Sequence, residues 1–322
     1  MAVGLTGRTG DKKGNMKTVI YTEYGPPEVL RVTELPKPSP TEDEVLVKVR
    51  ATTVTVGDTI MRSLKIPGPW WQRLGARLFL GIRKPKRAIL GMELAGDVEA
   101  TGPAVTRFQP GDAIFASTFA VNFGGYAEYK CLPESGVLAI KPANLSYAEA
   151  AAVPGAGMTA LQCLKQAHIQ PGQQVLIYGA SGAVGTYAVQ LARHAFDARV
   201  TGVCSTANLD LVRSLGAETV IDYTQQDFSA TEERYAVVFD AVGKAAPAQA
   251  RSVLRQDGAY LNVLNASDGG DTVENLLALK ELIEAGKLRP VIDRRYPLDE
   301  IVAAHRYVDQ GHKKGNVVIT VA

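Results

Sequence analysis

The fold of this chain is decided by the stretch Val175-Leu176-Ile177-Tyr178-Gly179-Ala180-Ser181-Gly182-Ala183-Val184-Gly185. Its first residues are apolar and predict a short buried strand. Glycines follow at three-residue spacing, and the residues after them are apolar at the spacing of one helix face. A strand, a glycine turn and a helix start, in this order, predict the phosphate-binding turn of a dinucleotide-binding fold.

The chemistry of this turn explains its glycines. The backbone must turn tightly and approach a pyrophosphate, while the N–H groups and the dipole of the helix start face the phosphates. We expect the whole turn to bind the cofactor: Gly179, Ala180, Ser181, Gly182, Ala183, Val184 and Gly185. The usual pattern is Gly-x-Gly-x-x-Gly, and Ala180 stands at its first position. A glycine turn in another kind of α/β protein is therefore the alternative.

The composition is that of an ordinary globular protein, with 46% hydrophobic and 21% charged residues. The length of 322 residues favours two domains. A formal net charge of +2 gives no electrostatic argument for nucleic acid, so we expect no such partner. The cysteines lie far apart and form neither a metal pair nor a disulfide framework: Cys131, Cys163 and Cys204. This spacing favours a reducing, cytoplasmic location.

The first residues of the chain do not have the pattern of a secretory signal. Residues 1–15 lack the apolar core of a secretory signal, and we expect them to form a disordered tail. No apolar run is long enough to cross a bilayer, so we expect membrane association to be absent.

Two patterns divide the rest of the chain. From Lys17 to about Lys141, short β segments separated by Gly or Pro predict a twisted, barrel-like domain, with one segment at 125–131. From Asn144 onward, helices and strands alternate, which predicts βαβ units and a parallel sheet with a fifth strand at 259–264.

One basic segment interrupts the first pattern. Between Arg62 and Arg87 there are eight Lys or Arg and no Asp or Glu. Trp71, Leu74 and Leu78 fall on one face of a helix there. We favour a solvated helix whose apolar face covers the core. A lid over the entrance of the active site and a helix that lies on a membrane surface are the alternatives.

Further motifs are specific when taken together: Glu28-Val29-Leu30, Gly91-Met92-Glu93-Leu94-Ala95-Gly96, Phe108 to Asp112, Gly124-Gly125-Tyr126-Ala127-Glu128-Tyr129, and Lys314-Gly315-Asn316-Val317-Val318-Ile319. With the glycine turn, they resemble the medium-chain dehydrogenase/reductase superfamily, specifically its zinc-independent quinone oxidoreductase branch. The resemblance covers nearly the whole chain after Met16. It implies an α/β protein in which a Rossmann dinucleotide-binding domain, 144–285, is inserted in a GroES-like β-barrel catalytic domain, 16–143 and 286–322.

The resemblance also indicates where zinc-dependent relatives hold their catalytic metal. Zinc binds thiolate, imidazole or carboxylate. The matching positions here hold Thr55, Met92 and the range 153–157, which contains no Cys, His, Asp or Glu. The four-cysteine structural zinc loop is missing as well. We therefore expect no zinc.

The absence of these ligands points to a reaction class. Without a Lewis acid, oxidation of an unactivated alcohol loses its usual activation. Hydride addition to an enone or a quinone is easier, because the charge spreads onto a conjugated oxygen. The resemblance implies this chemistry, with NADPH as the reductant and a small-molecule enone or quinone as the substrate.

Cofactor choice depends on the end of the second strand of the parallel sheet. A fold that prefers NAD places an acid about 20 residues after the glycine turn. Ser205 and Thr206 stand there instead, and their hydroxyls favour a 2′-phosphate, hence NADP. Many relatives have Lys or Arg next, where this chain has Ala207. A charge-assisted contact is stronger than a neutral one, so selectivity is expected to be weak and NADH remains possible.

The resemblance adds residues to the cofactor site. Tyr223 matches a position that packs on the adenosine phosphate. Thr159, Asn265 and Asn316 match positions near the nicotinamide, although polar residues at turns and helix ends are an equally good reading. The remaining cofactor candidates lie at the carboxyl ends of the fourth and fifth strands: Val242 and Leu264.

The resemblance implies that Thr55 and Asp58 face the nicotinamide. Thr55 is expected to bond the substrate oxygen, and Asp58 to orient it or a water that donates a proton. A structural carboxylate bonded to the backbone is the alternative for Asp58. Tyr126 and Trp70 are candidates for the pocket wall. We expect the four histidines to be structural or exposed: His168, His194, His305 and His312.

Three functions remain open. The leading one is a zinc-independent reductase of quinones or activated C=C bonds. The second is an enoyl-thioester reductase, whose acidic carrier protein would suit the basic segment. The third is a non-enzymatic relative that keeps the fold and the cofactor. The chain leaves no room for a sixth strand after Leu264, so we expect a monomer, or a dimer that does not use that sheet edge.

Overall fold

A computed structural model gives the structure of residues 14–66, 68, 70–266 and 269–321. The strands are β1 (Asn15–Ile20), β2 (Arg31–Pro36), β3 (Glu44–Val54), β4 (Glu93–Thr101), β5 (Ala113–Ser117), β6 (Tyr129–Pro133), β7 (Leu138–Ile140), β8 (Gln174–Tyr178), β9 (Arg199–Cys204), β10 (Thr219–Asp222), β11 (Tyr235–Asp240), β12 (Leu254–Asn262), β13 (Ile292–Pro297) and β14 (Asn316–Thr320). The helices are α1 (Val56–Ser63), α2 (Trp70–Leu80), α3 (Tyr147–Ala151), α4 (Pro154–Gln166), α5 (Ala183–His194), α6 (Leu209–Ser214), α7 (Pro247–Ser252), α8 (Val263–Ala266), α9 (Val273–Glu284) and α10 (Ile301–Asp309).

The barrel-like part is built from both ends of the chain. Its main sheet runs β13-β14-β3-β4-β5-β7, and β6 also pairs with β3. β14 lies antiparallel to β3, with Val318 opposite Thr53. Val45, Val47 and Val49 alternate along β3 and are fully buried, as expected where one face of a strand covers the core. The last strand therefore completes a sheet that begins in the first third of the chain.

The parallel sheet has the order β10-β9-β8-β11-β12. The first strand of this part, β8, lies in the middle, and the order reverses between β8 and β11. In open α/β sheets the ligand crevice lies at such a reversal, beyond the carboxyl ends of the strands. β8 is a continuous apolar strand because both of its faces are covered: Val175, Leu176 and Ile177 are fully buried.

Two predicted strand boundaries are wrong. The predicted strand at 259–264 ends at Asn262, and Leu264 lies in α8. The Asn262 side chain accepts the N–H of Leu264 at 2.9 Å, which replaces the strand hydrogen bond by a local turn. The predicted strand at 125–131 begins only at Tyr129. The backbone of Gly125 instead lies close to Gly91. A side-chain carbon added at Gly91 would lie 2.7 Å from the Cα of Gly125.

The expectation that the helix in the basic segment covers the core with its apolar face is also wrong. Trp71, Leu74 and Leu78 on α2 are 58%, 52% and 54% exposed. Leu80, on roughly the opposite side of the helix, is the residue that packs on the barrel core. The helix is held to the barrel at its carboxyl end, where Tyr24 Oη donates to the carbonyl of Gly81 at 2.9 Å.

Candidate cofactor and substrate site

The glycine turn between β8 and α5 has the geometry of a phosphate cradle. Gly179 has a φ of +77°, and a side-chain carbon there would lie 2.6 Å from Val242. At Gly185 such a carbon would lie 2.1 Å from the carbonyl oxygen of Gly179, so only glycine lets α5 start this close to β8. Gly182 is the N-cap of α5 and carries no capping side chain. The N–H groups of Ala183 and Val184, in the first turn of α5, are left without acceptors inside the helix.

Ala180 departs from the usual glycine, and the neighbouring strand explains why it is tolerated. Ala180 is fully buried behind the turn. Its methyl group points at Gly202 of β9, where an added side-chain carbon would lie 3.2 Å from it. The glycine that is missing from the turn is thus matched by a glycine on the adjacent strand.

A cavity of about 260 Å³ opens in front of the turn. It gathers six of the predicted cofactor residues: Gly179, Ser181, Gly182, Ser205, Tyr223 and Val242. Tyr223 is 49% exposed, and its ring centroid lies 6.5 Å from that of Tyr178, so it offers a flat apolar wall. Leu264, which we also expected at the cofactor, does not line this cavity; it is 55% exposed and lies against Gly243.

The segment before β14 closes this cavity from the barrel side. Gly315 pairs with Gly182, and its N–H donates to the carbonyl of Ser181 at 2.8 Å. Lys244, His312 and Lys313 line the same cavity. Burial lowers the pKa of Lys313 to about 8, and its Nζ donates to the Gly315 carbonyl at 2.6 Å. The sequence did not assign any of these three basic residues to the cofactor site, and His312 was expected only to be structural or exposed, because their proximity depends on the fold.

Asn208 is a further residue that sequence reasoning missed. Its Nδ2 donates to Ser181 Oγ at 3.1 Å and to Ser205 Oγ at 3.0 Å. Each serine oxygen thus accepts from Asn208, which leaves its own hydrogen free to donate elsewhere. Asn208 Oδ1 is buried without a hydrogen-bond partner among the described residues. Such an orphan is typical of a site that is completed by a ligand or water.

The structure places Thr206 differently from Ser205. Thr206 Oγ1 donates to Asp222 Oδ2 at 2.5 Å and lies 2.9 Å from Thr224 Oγ1. Hydrogen bonds from Thr206 first, and from Thr224, hold the pKa of the half-buried Asp222 below its usual value. Thr206 is therefore occupied by a carboxylate and does not line the cavity, whereas Ser205 does.

A second cavity, of about 360 Å³, lies between the two parts of the protein. Its wall combines barrel residues with the start of α4 and the segment after α8: Met92, Ser117, Phe119, Pro154, Gly155, Met158, Thr159, Gly269, Gly270 and Asp271. Thr159 is the one predicted cofactor residue in this wall, and its hydroxyl donates to the Gly155 carbonyl at 2.7 Å.

The other residues expected near the nicotinamide do not line this cavity. Asn316 is 4% exposed at the start of β14, and its side chain donates to the Val291 carbonyl at 3.2 Å. Asn265 belongs to α8, and its side chain lies outside the described part of the structure. Trp70 is 75% exposed on α2, and Tyr126 is fully buried, so neither forms a wall of the second cavity.

Thr55 and Asp58 form a capping box at the start of α1. Thr55 Oγ1 donates to Asp58 Oδ2 at 2.6 Å and accepts the Asp58 N–H at 3.0 Å. Asp58 also accepts the N–H of Gly91 and hydrogen-bonds Tyr126. Asp58 is fully buried, and this burial raises its pKa to about 6 against the opposing hydrogen bonds. The carboxylate is saturated with donors and does not reach either cavity.

A buried polar chain continues from Asp58 through the barrel. His305 Nε2 lies 3.1 Å from Tyr126 Oη, and Arg62 Nη1 lies 3.0 Å from His305 Nδ1. Because a guanidinium only donates, Nδ1 accepts and the Nε2–H donates to Tyr126. Burial, then the Arg62 charge, lowers the pKa of His305 to about 3, so the ring is neutral. Arg62 Nη2 also donates to Asp309 at 2.7 Å.

Glu93 joins the barrel to α4. It is 1% exposed at the start of β4, accepts the Gly155 N–H at 2.5 Å, and accepts the Thr53 hydroxyl. Burial raises its pKa to about 7. A carboxylate at the first turn of a helix satisfies an unpaired N–H and complements the helix dipole. Glu93 therefore fixes the helix that carries Met158 and Thr159.

Asp271 is the acid in the wall of the second cavity. Ser117 Oγ donates to its Oδ2 at 3.0 Å. Burial raises the pKa of Asp271, and the hydrogen bond from Ser117 partly opposes that shift. No sequence motif marked Asp271, because it follows a segment that only the fold brings to Ser117.

Two of the positions that the resemblance matches to zinc ligands are in contact here, with other chemistry. Thr55 Oγ1 lies 3.4 Å from Met92 Sδ, and the third position, in the range 153–157, offers no Cys, His, Asp or Glu. A hydroxyl and a thioether do not replace the thiolate, imidazole and carboxylate that zinc requires. Among residues 14–66, 68, 70–266 and 269–321, no group of three His, Cys, Asp or Glu is arranged to hold a metal.

Family models match most of the chain. The alcohol dehydrogenase GroES-like domain matches residues 41–142, and two zinc-binding dehydrogenase models match residues 183–286 and 269–319. The 2-methylene-furan-3-one reductase of Solanum lycopersicum is 34% identical over 94% of this chain and 79% of its own length. The NADPH-dependent alkenal/one oxidoreductase of Arabidopsis thaliana is 31% identical over 99% of this chain and 82% of its own length.

Solved structures give the same result. The quinone oxidoreductase of Coxiella burnetii superposes with a TM-score of 0.82 at 29% identity, over 96% of this chain and all of that one. These similarities confirm the predicted fold class, a parallel-sheet dinucleotide-binding domain together with a GroES-like domain.

Proposed function

The chain belongs to the zinc-independent quinone oxidoreductase branch of the medium-chain dehydrogenase/reductase superfamily, and on this premise we propose its reaction and the roles of its residues. It is an NADPH-dependent oxidoreductase of quinones or activated C=C bonds. The observation that supports this function most directly is the glycine cradle, where Gly185 lies too close to Gly179 for any side chain. The cavity in front of it has hydroxyl donors where an NAD-preferring fold places an acid.

The cofactor cavity fits a dinucleotide phosphate. We propose that the N–H groups of Ala183 and Val184 bind the pyrophosphate, that Ser205 donates to the 2′-phosphate, and that Tyr223 packs on the adenosine. Lys244 and Lys313 supply positive charge that Ala207 does not. In this proposal NADPH is therefore preferred over NADH, because Lys244 and Lys313 supply positive charge. Many relatives have a basic residue at the position of Ala207 instead.

The second cavity is the proposed place of the substrate. When bound, NADPH supplies the hydride. The hydride adds to the β-carbon of an enone, or to a quinone, and the electron pair moves onto the conjugated oxygen. One proton must then be taken up, and Asp271 is the group in this wall that can deliver it. We propose Asp271 as the proton donor and Ser117 as the residue that positions its carboxyl group.

Thr55 and Asp58 have a different proposed role. Because the Thr55 hydrogen is donated to Asp58, Thr55 does not donate to a substrate while Asp58 is ionised. We propose both as positioning residues: their capping box fixes the start of α1 and supports Met92, which lines the substrate cavity. We also propose that the reaction uses no zinc, since the donor set at Thr55 and Met92 does not suit this metal.

Two remaining proposals concern the state of the protein. The cysteines among the described residues form no disulfide, which supports the proposed reducing, cytoplasmic location. We propose a monomer, or a dimer that leaves the β12 edge free. Light scattering combined with crosslinking at β12 tests this state.

A direct assay tests the reaction. The protein is treated with a chelator and supplied with 1,4-benzoquinone or with methyl vinyl ketone. Oxidation of NADPH and of NADH is followed by the absorbance of the reduced nicotinamide. We expect turnover with NADPH that the chelator leaves unchanged. Cofactor binding without turnover of either substrate class would favour the non-enzymatic alternative, and turnover lost on chelation would contradict the metal-free mechanism.

A further inference from the structure

An unpartnered apolar face on α2 is the most unusual feature of the surface. Trp70, Trp71, Leu74 and Leu78 are 75%, 58%, 52% and 54% exposed, and Ile82, just beyond the helix, is 62% exposed. We call these five residues the α2 face. Single exposed apolar residues are normal on a protein, but a contiguous group with two tryptophans marks an interaction surface.

The α2 face is turned away from the barrel by the way the helix is attached. Leu80 packs against the barrel core, and the carbonyl of Gly81 accepts from Tyr24. At about 100° per residue, Trp71 and Leu78 fall on the side opposite Leu80. The helix is thus held at one end by its inner side, and its outer side is exposed among the residues that the structure describes.

Positive charge surrounds this face. Arg73 and Arg77 lie on α2, and Arg83, Lys84 and Lys86 follow it. No Asp or Glu occurs between 62 and 87. Among the ion pairs of the described residues, none includes Arg73, Arg77, Arg83 or Lys84. No carboxylate of the described part of the chain therefore forms an ion pair with these four side chains.

We propose that the α2 face docks on the surface of an anionic lipid bilayer, with α2 lying in the plane of the headgroups. The tryptophans and leucines enter the boundary between headgroups and acyl chains, and the arginines bind lipid phosphates. This composition, with exposed Trp and Leu on one face and Arg beside that face, is typical of interfacial helices. The contact is peripheral, because no described helix is long and apolar enough to span a membrane.

Other occupants fit the observations less well. A second copy of the chain would bring two sets of unneutralised arginines together, and like charges oppose such a contact. An 11-residue helix is also small for a stable protein interface, which buries roughly 800 Å² on each partner. An acidic carrier protein would satisfy the charges but not the paired tryptophans, which suit the membrane interface. The proposal does not rest on the proposed reaction, because vesicle binding needs no substrate.

The chain carries its own reporter for this contact. Its only two tryptophans are Trp70 and Trp71, both on the α2 face. Tryptophan fluorescence of the unlabelled full chain is therefore measured with vesicles of phosphatidylcholine alone and with vesicles that also contain phosphatidylglycerol. Flotation of the vesicles on a density gradient measures binding independently. We expect a blue shift and co-flotation with the anionic vesicles, and a loss of both in high salt.

Two double variants separate the apolar and the electrostatic parts while keeping both tryptophans. L74Q/L78Q removes apolar surface, and R73E/R77E reverses the charge. Each is expected to weaken the affinity for anionic vesicles by about tenfold or more. Matched controls change the same residue types at exposed positions outside the segment: I140Q/L277Q and R251E/R255E. We expect the controls to bind as the wild type does. Circular dichroism and a thermal melt confirm that each variant is folded.

Each contrary outcome would overturn the proposal. The absence of both a blue shift and flotation with anionic vesicles would exclude the membrane. Equal binding to neutral vesicles, unaffected by R73E/R77E, would remove the role of the charges. A blue shift that rises with protein concentration in the absence of lipid, with a doubled mass in light scattering, would assign the α2 face to a second copy. Binding of the wild type to an acyl carrier protein but not to vesicles would assign it to that partner.

Discussion

The Nδ2 of Asn208 lies 3.0 Å from the Oγ of Ser205. Because Asn208 donates, the Ser205 hydrogen is free, and we propose that it donates to the 2′-phosphate of NADPH. Removing a hydrogen bond to a charged group costs about 1.5–3 kcal/mol, or roughly 10- to 100-fold in affinity. We expect S205A to weaken NADPH binding by this factor and to leave NADH binding nearly unchanged, as measured by fluorescence titration of each cofactor. N208A also loses the hydrogen bond to Ser181 in the glycine turn, so it is expected to weaken binding of both cofactors.

Thr206 offers the matched control for this prediction. Its hydroxyl is engaged with Asp222, and it does not line the cavity. T206V is therefore expected to change NADPH affinity less than S205A does. An equal loss in both variants, or an equal loss for NADH and NADPH, would show that Ser205 does not read the 2′-phosphate.

Gly185 tests the cradle through stability. In G185A the new methyl carbon would lie 2.1 Å from the Gly179 carbonyl oxygen, so the start of α5 must move away from β8. Overpacking of this kind costs about 1–3 kcal/mol or more, which urea unfolding of the cofactor-free protein measures. Gly75 on α2 has nothing within 4 Å of such a carbon, and G75A is expected to stabilise the protein by about 1 kcal/mol or less. Equal stability of the two variants would contradict the tight contact.

His305 gives a prediction on pH. Its pKa is lowered from 6.5 to about 3 by burial and by Arg62, so below pH 6.5 the unfolded chain binds a proton that the folded protein does not. The stability that neutral His305 contributes is complete above pH 6.5 and is lost as the pH falls, by about 1.4 kcal/mol per unit. We expect the unfolding free energy of wild type to approach that of H305Q between pH 7.5 and pH 5. Below pH 6.5 the difference falls by about 1.4 kcal/mol for each pH unit.

The other buried acids do not disturb this comparison. Burial raises the pKa of Asp58 to about 6 and that of Glu93 to about 7, so both stabilise the folded state more as the pH falls. Glu93 acts alike in both proteins, and the glutamine of H305Q can donate to Tyr126 as the His305 Nε2–H does, so the Tyr126–Asp58 hydrogen bond is kept as well. Urea unfolding at several pH values measures the difference, and a difference that stays constant from pH 7.5 to pH 5 would mean that folded His305 titrates normally.

Asp271 gives a second prediction on pH, in catalysis. A proton donor must be protonated, so the rate of enone reduction is expected to fall as the pH rises through the raised pKa of Asp271. D271N is expected to remove this descending limb of the pH–rate profile and to lower kcat by about 10²-fold or more, the usual contribution of a general acid. The Ser117 hydrogen bond favours the carboxylate, so S117A is expected to shift the limb to higher pH. A pH profile of S117A identical to that of wild type would contradict this pairing.

Much of the fold follows from local patterns in the sequence. β8 is apolar on both faces because it lies in the middle of a parallel sheet, and the glycine turn after it has the geometry that its spacing predicts. The end of the fifth strand was not predictable from hydrophobicity, because the Asn262 side chain, and not the apolar pattern, decides where β12 stops. Amphipathic spacing found α2 but gave the wrong orientation, since Leu80, and not the predicted apolar face, packs on the barrel core.

The candidate site divides in the same way. The residues of the glycine turn and Ser205 are close in sequence or follow strands, so the motif located them. Asn208 and Asp271 are separate from every motif, and only the fold sets Asp271 against Ser117. Lys313 reaches the cofactor cavity because Gly315 pairs with Gly182 across the two parts of the protein. Contacts of this kind depend on tertiary structure and leave no local signal in one sequence.

The most direct test of the proposed reaction is transfer of deuterium to methyl vinyl ketone from NADPH that carries deuterium at both C4 positions of the nicotinamide, with the protein treated with a chelator. Mass spectrometry and NMR of the product locate the label. We expect one deuterium on the former β-carbon of the saturated ketone, with the α-hydrogen taken from the solvent. Hydride addition to an activated C=C bond by a metal-free site would be contradicted by an unlabelled product, by an allylic alcohol labelled at its carbinol carbon, or by no product without added zinc.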